Sequence, residues 1–203
     1  TPNPQPLLTA MRIISRVLLG LIALLLVGVA VAYLAVRGSL PVIDGERLVA
    51  GLEGETVVER DAVGAVTITG HSRDDVAYAT GFVHAQDRFF QMDLSRRMSG
   101  GRLAELVGDA AMDLDARQRI HRFHDVAERV YVQLAPAEKT LLDAYARGVN
   151  AGLESLRVRP FEYLLLRQRP EPWRSQDCLL VVYAMYLQLN DAEGSADRQR
   201  GLL

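Results

Sequence analysis

Between Tyr78 and Val107 the chain reads YATGFVHAQDRFFQMDLSRRMSGGRLAELV. Tyr78, Phe82, Ala85, Phe89 and Met92 recur at alternating steps of four and three, which places them on one face of a helix. Ala79, Val83, Phe90 and Leu94 form a second apolar strip beside the first. A helix apolar over so wide an arc is buried on more than one side. The same stretch carries Asp87, Arg88, Asp93, Arg96 and Arg97. Buried charges need partners, because an unpaired one costs several kcal/mol. Asp93 reaches Arg96 and Arg97 at spacings of three and four, so the pattern predicts a structural ion network inside a large layered core.

The remaining pattern predicts a hairpin and further helices. Residues 1–10 are Pro-rich and read as a disordered leader or an expression remnant. Val17 to Val36 is an uncharged run long enough to cross a bilayer, and Arg12 and Arg16 before it place that end in the cytoplasm. Residues 11–37 therefore read as a signal anchor, with cleavage after Ala30-Val31-Ala32 as the alternative. A linker follows over 38–55. Thr56 to Arg60 and Ala65 to Thr69 read as paired strands across a turn. Ser72 with Asp75 caps the central helix, and Ser99-Gly100-Gly101 ends it. Arg102 to Val107 is a short helix, and Leu114 to Leu134 one charged surface helix. Pro136 opens a helix whose inner face is Leu141, Leu142, Tyr145, Val149 and Leu153. Phe161 to Leu166 is a short helix, followed by a stiff turn over Pro170-Glu171-Pro172-Trp173. A last helix opens at Ser175, with Leu179, Val182, Tyr186 and Leu189 facing inward. Two strands make a poor sheet alone, so residues 56–203 read as part of a larger fold. The chain stops within a helical pattern at Gly201-Leu202-Leu203.

Composition narrows the classes. The 203 residues carry a formal net charge of −2, which gives no field for a nucleic-acid partner. The single cysteine, Cys178, forms no internal disulfide and reads as a small core residue. His121 and His124 sit three apart without carboxylates at metal-ligand spacing. No Gly-x-Ser-x-Gly, phosphate loop, dinucleotide turn or His-Glu-x-x-His is present. The residue pattern alone stops at an exported, membrane-anchored, mostly helical piece of a larger assembly.

Four stretches carry a resemblance. They are Val58-Glu59-Arg60-Asp61 with Gly64; Gly81 to Asp93 (GFVHAQDRFFQMD); Arg96-Arg97 with Gly101 to Gly108 (GRLAELVG); and Ala146 to Ala151 (ARGVNA) followed by Pro172-Trp173 and Asp177. In this order they resemble the α-chain portion of the penicillin acylase family of N-terminal-nucleophile hydrolases. The leader SLPVIDGERLVAGL is similar to that of membrane-anchored bacterial members. The resemblance implies an α+β class: the mostly helical α-chain part of a four-layer αββα fold, completed by a separate β chain. It implies a precursor that cuts itself into two chains and exposes a nucleophile, usually serine, at the β N-terminus. The freed α-amino group, which titrates near neutrality, is then the base. Gly194-Ser195 is a poor junction, since only eight residues follow Ser195. No catalytic residue is therefore expected in this chain.

The resemblance also implies what this chain contributes. Met185, Tyr186, Leu187, Leu189 and Asn190 fall where family members line the acyl pocket. Penicillin-G-type members have an arginine and a phenylalanine near the end of that helix, where this chain has Leu189 and Asn190. A phenylacetyl preference is thus not carried over, and the apolar residues suit a hydrocarbon acyl chain, with plain core packing as the alternative. A structural calcium ion shared with the β chain would take Asp197 or Glu193, both of which supply the oxygen donors calcium prefers. The expected substrate is an N-acylated small molecule: a penicillin, an acyl homoserine lactone or a related acyl amide. An inactive, membrane-anchored scaffold is the alternative. The expected location is the bacterial inner membrane with the domain in the periplasm, or free in the periplasm after signal cleavage.

Overall fold

The computed structural model describes residues 5–191; Glu193, Asp197 and the Gly194-Ser195 pair lie outside the described residues. Helix α1 runs from Gln5 to Ser39. It begins within the stretch whose prolines suggested disorder, because Pro6 sits in the first turn, where its missing N–H costs no hydrogen bond. Every residue from Ile13 to Leu34 is exposed, so this helix has no apolar partner among the described residues over that length.

Strands β1 (Val57–Arg60) and β2 (Val66–Thr69) pair antiparallel, with Val58 opposite Ile68. Asp61 closes the turn: its carboxylate accepts from Val63 N at 3.0 Å and Ala65 N at 2.8 Å. Helix α2 (Arg73–Gly100) follows. Ser72 Oγ accepts from Asp75 N while Asp75 accepts from Ser72 N, the reciprocal cap that the sequence predicts. Asp75 also accepts from Glu53 N at 2.8 Å, which ties the linker to the helix start. Gly101, at φ 65°, ends the helix in the left-handed conformation. Two features went unanticipated. The helix kinks at Arg88, whose φ of −152° is not helical, and the expected short helix α3 (Ala104–Val107) runs on into a 3₁₀ turn at Gly108–Ala111.

The single helix expected over Leu114 to Leu134 is two, α4 (Met112–Arg119) and α5 (Phe123–Gln133). Arg122 separates them in the left-handed region at φ 52°. The break has a tertiary reason. Asp115, buried on α4, accepts from Leu103 N and Ala104 N at 2.8 Å each, and Arg119 Nε donates to Gly101 O. Those bonds hold α4 against the start of α3, and α5 then turns away to pack on the last helix.

Helix α6 (Pro136–Glu154) crosses α2 at close range. Of the predicted strip, Val149 is fully buried and Tyr145 and Leu153 pack half-buried against the core with Leu141 and Leu142 also half-buried, while the small residues Ala144, Ala146, Gly148 and Gly152 are buried as well. A Cβ at Gly148 would lie 1.9 Å from Tyr78 O, and one at Gly152 2.3 Å from Phe82 O. From the other side, a Cβ at Gly81 would lie 2.2 Å from Tyr145 O. Only glycine fits, so the two backbones touch. Short helix α7 (Phe161–Leu165) and α8 (Ser175–Asp191) complete the body.

The face of α8 is also revised. Asp177, Leu180 and Ala184 are buried, whereas Val182, Tyr186 and Leu189, expected inside, are exposed. The core is Phe89, Ala85, Leu106, Val149, Tyr163 and Trp173, between α2, α6 and the Pro-Trp turn.

Gly148→Ala should lower stability by about 2–3 kcal/mol or abolish folding, since overpacking at a backbone contact outweighs the gain in helix propensity. Gly20→Ala in α1, where nothing lies within 4 Å, should change nothing. Thermal unfolding of the two variants in detergent checks this; equal midpoints would contradict the backbone contact.

Candidate functional site

The charges on α2 come together in one buried cluster. Asp93 is fully buried; its Oδ1 accepts from Arg96 Nε at 2.7 Å and Arg97 Nε at 3.0 Å. Its Oδ2 accepts from Tyr163 Oη at 2.6 Å. Arg96 then donates to Pro172 O and Glu171 O, both at 2.9 Å, and to Asp177 Oδ2. Its guanidinium carbon stands 4.9 Å from the Trp173 ring centre. Arg97 pairs with Glu105 and Glu171. Asn150 completes the frame, donating to Trp173 O at 2.9 Å and accepting from Trp173 N at 2.8 Å. Every oxygen of Asp93 is thus satisfied, which is the condition for keeping ions in a core. The sequence-predicted pairing of Asp93 with Arg96 and Arg97 stands. The Tyr163 partner, 70 residues away, had no sequence signal. Asp87 instead sits outside, in a bidentate pair with Arg60 of β1 at 2.9 and 3.0 Å.

A groove lies beside this cluster and shares Trp173 with it. A cavity of about 880 Å³ runs between the first half of α2, α6 and the start of α8, lined by Val76, Thr80, His84, Leu142, Tyr145 and Val181 among others. At its wall, His84 Nδ1 and Tyr145 Oη lie 2.9 Å apart. Burial, and then the Arg88 guanidinium, hold the His84 ring below its ordinary pKa, with Asp87 opposing. Burial raises the Tyr145 hydroxyl well above its ordinary range, so it keeps its proton. Trp173 Nε1 contacts Cys178 Sγ at 3.4 Å, and burial pushes that thiol up to about 11. A thiol that stays protonated at neutral pH is a poor nucleophile, in line with a core role for Cys178. Among the described residues, no group of three His, Cys, Asp or Glu could hold a metal ion. The described residues therefore offer an apolar wall and a rigid frame.

The candidate acyl-pocket residues sit on the far half of α8. Met185, Tyr186 and Leu189 are 54%, 59% and 67% exposed, Leu187 is half-buried, and Asn190 Nδ2 donates to Tyr186 O. None of them lines the groove. Met185 does, however, follow Cys178 and Val181 at helical spacing, so it extends the groove-facing strip of α8 beyond the groove's end.

A family model described as penicillin amidase matches residues 55–202. The chain belongs to the penicillin amidase family. Penicillin acylase 2 proenzyme of Pseudomonas sp. (strain SE83) is 39% identical over 148 residues, covering 73% of this chain and 19% of that protein. Acyl-homoserine lactone acylase QuiP of Pseudomonas putida is 36% identical over 157 residues, 76% of this chain and 19% of its own length. The chain thus spans about a fifth of these curated relatives. Among solved structures, a thermostable penicillin G acylase from Alcaligenes faecalis superposes with a TM-score of 0.57 at 28% identity. That match covers 73% of this chain and 88% of the other, so the described body is an α-chain-sized portion of the N-terminal-nucleophile hydrolase fold. Three of the four motif stretches of this penicillin amidase family member meet in the cluster, where Asp93 and Arg96-Arg97 touch Pro172, Asp177 and Glu105 and Asn150 clamps Trp173; the first joins them from outside through the Arg60–Asp87 pair.

Tyr163→Phe should leave Asp93 Oδ2 without a donor and cost about 1–3 kcal/mol, read by chemical denaturation; an unchanged midpoint would mean Tyr163 contributes nothing to the cluster. His84 should titrate below 6.5 by NMR and move upward in Arg88→Gln. Because the folded value is the lower one, the unfolded chain binds the proton first. Stability should therefore fall as pH drops below 6.5, and His84→Gln should lack that component.

Proposed function

We propose that this chain is the α-chain portion of an exported N-terminal-nucleophile amidohydrolase. The reaction is hydrolysis of the amide bond of an N-acylated small molecule, with the nucleophile on a β chain released from the same precursor. Family membership together with the exposed apolar face of α8 carries the reading: Val182, Met185, Tyr186 and Leu189 are too apolar to be left to water along one helix. A β chain laid against that face would bury part of it and leave Met185, Tyr186, Leu187, Leu189 and Asn190 beside the acyl group. Leu189 and Asn190 give a neutral lining suited to a hydrocarbon acyl chain. The named relatives span penicillin and acyl-homoserine lactone acylases, and either class of amide fits this lining.

The chain's own residues then bind and orient. The Asp93 cluster locks α2, the Pro-Trp turn and the start of α8 into one frame, so the angle of α8 is set before any substrate arrives. A calcium ion belongs, in this reading, to Asp197 or Glu193 with further oxygens from the β chain, where it would pin the two chains together. Helix α1, long and apolar enough to cross a membrane, anchors the enzyme with Arg12 and Arg16 on the cytoplasmic side and the catalytic body in the periplasm.

Three measurements test this. Denaturing electrophoresis of the full-length product should show two chains, with Ser, Thr or Cys at the new N-terminus; any other residue there sinks the enzyme and leaves a binding protein. Assay of the matured heterodimer against amides graded by acyl length should show Leu189→Arg raising KM for the longest alkyl chains about tenfold or more, at nearly constant kcat. Chelation should lower the heterodimer's melting temperature, and less so in Asp197→Asn or Glu193→Gln, whichever is the ligand.

A further inference from the structure

We infer that the face beside the end of α1, built from α7 and its flanking arginines, rests on the anionic phospholipid surface of the bilayer that α1 crosses. The inference builds on the anchor reading. Its structural basis is that α1 does not end in a free tether. Gly38 O accepts a hydrogen bond from Val158 N at 3.0 Å, and a Cβ at Gly38 would lie only 2.7 Å from Val158 Cγ2. The last turn of α1 therefore abuts the segment that leads into α7. Next to Gly38, Arg37 donates to Tyr33 Oη, about one turn earlier, at 3.2 Å, a pair of the kind that sits at headgroup level. A helix turn rises about 5.4 Å, so Val158 and its neighbours stand within roughly one or two turns of that level.

The chemistry of this face matches the bilayer surface. Phe161 and Leu165, four apart on one side of α7, are 43% and 75% exposed. Arg157, Arg167 and Arg169 are exposed around them, and Arg159 is half-buried. The only acid from Arg157 to Arg169 is Glu162, and it lines the cleft between α7 and the end of α1. Across that cleft Leu40, Val42 and Ile43 are exposed in the chain that leaves α1. The linker acids Asp44 and Glu46 follow, with Arg47 turned inward over the Phe82 ring. Guanidinium groups bind phosphate oxygens in pairs, and apolar side chains between them enter the acyl boundary. A surface that met only water would not need to gather arginines and two large apolar side chains at the one end held to the membrane helix. Resting here, the body would be fixed in orientation, with α8 and its substrate face at a set height above the bilayer.

The test uses the full-length protein in proteoliposomes, with Cys178→Ser as background. An environment-sensitive fluorophore is placed at Leu165→Cys, at Leu25→Cys inside α1, and at Val132→Cys on exposed α5. Quenching by nitroxide lipids is read in vesicles of phosphatidylglycerol with phosphatidylcholine and of phosphatidylcholine alone. The label at position 165 should be quenched about threefold more than that at 132 in anionic vesicles. The difference should fall by at least about half in phosphatidylcholine, at about 0.5 M NaCl, and in the Arg157→Gln, Arg167→Gln, Arg169→Gln triple variant. Phe161→Cys gives an independent label should Leu165→Cys fold poorly. Quenching at 25 but not at 165 or 161 would overturn surface docking and leave the anchor standing. Quenching at 165 that ignores salt and lipid charge would overturn recognition of anionic lipid. Absence of quenching at 25 would remove the anchor and the docking with it. A label at 165 that the β chain shields from both water and lipid would assign the face to that chain instead.

Discussion

Two helices in contact through their backbones set everything else in this body. Where α2 meets α6, Gly81, Gly148 and Gly152 let carbonyl oxygens of one helix stand where a methyl group of the other would be. Such an approach gives dense packing over a long contact, but it also fixes the crossing angle, because the backbones have no side-chain cushion to deform. The kink at Arg88 lies just beyond this crossing. It swings the second half of α2 so that Asp93, Arg96 and Arg97 point into the body.

The ion cluster is the second constraint and depends on the first. A carboxylate with no solvent exposure is tolerable only when its lone pairs are filled. Arg96, Arg97 and Tyr163 fill them, and Arg96 passes the constraint on to Glu171, Pro172 and Asp177. Loss of Asp93 would leave buried guanidinium charge short of a partner, and loss of Tyr163 would leave a buried carboxylate oxygen without its donor, so each member holds the others in place. That is a mechanism for conformational uniqueness: the turn before α8 has one place to be, and α8 leaves it in one direction. The described residues thus form a rigid wall held in one place. Among the described residues the far half of α8 stays exposed and apolar and the sheet has two strands, both of which the proposed β chain would cover.

The glycines also explain why the His84–Tyr145 contact exists. Close approach of α2 and α6 puts two large polar side chains from facing helices within 2.9 Å of each other at the edge of an apolar groove. Each is then desolvated by the other's helix, which depresses the imidazole and raises the phenol.

Local physics settled much of this in the sequence alone. The twenty uncharged residues from Val17 to Val36, the hairpin around Asp61, the Ser72–Asp75 cap, the Gly101 stop and the Asp93–Arg96–Arg97 pairing all rest on residues within a few positions of each other. The four motif stretches carried the family. Other features were decided only by tertiary structure, because their partners lie far apart in the chain. Val149 of the predicted α6 strip is buried, yet the contact with α2 is made by small residues the pattern did not single out, since only they allow the backbones to touch. The continuous helix over Leu114 to Leu134 broke at Arg122 because Asp115 and Arg119 are held by α3 and Gly101. The apolar stripe of α8 pointed outward because Asp177 was claimed by Arg96, which rotates Leu180 and Ala184 inward and leaves Tyr186 and Leu189 outside. Periodicity counts apolar positions; it does not say which of two faces a distant ion pair will pull toward the core.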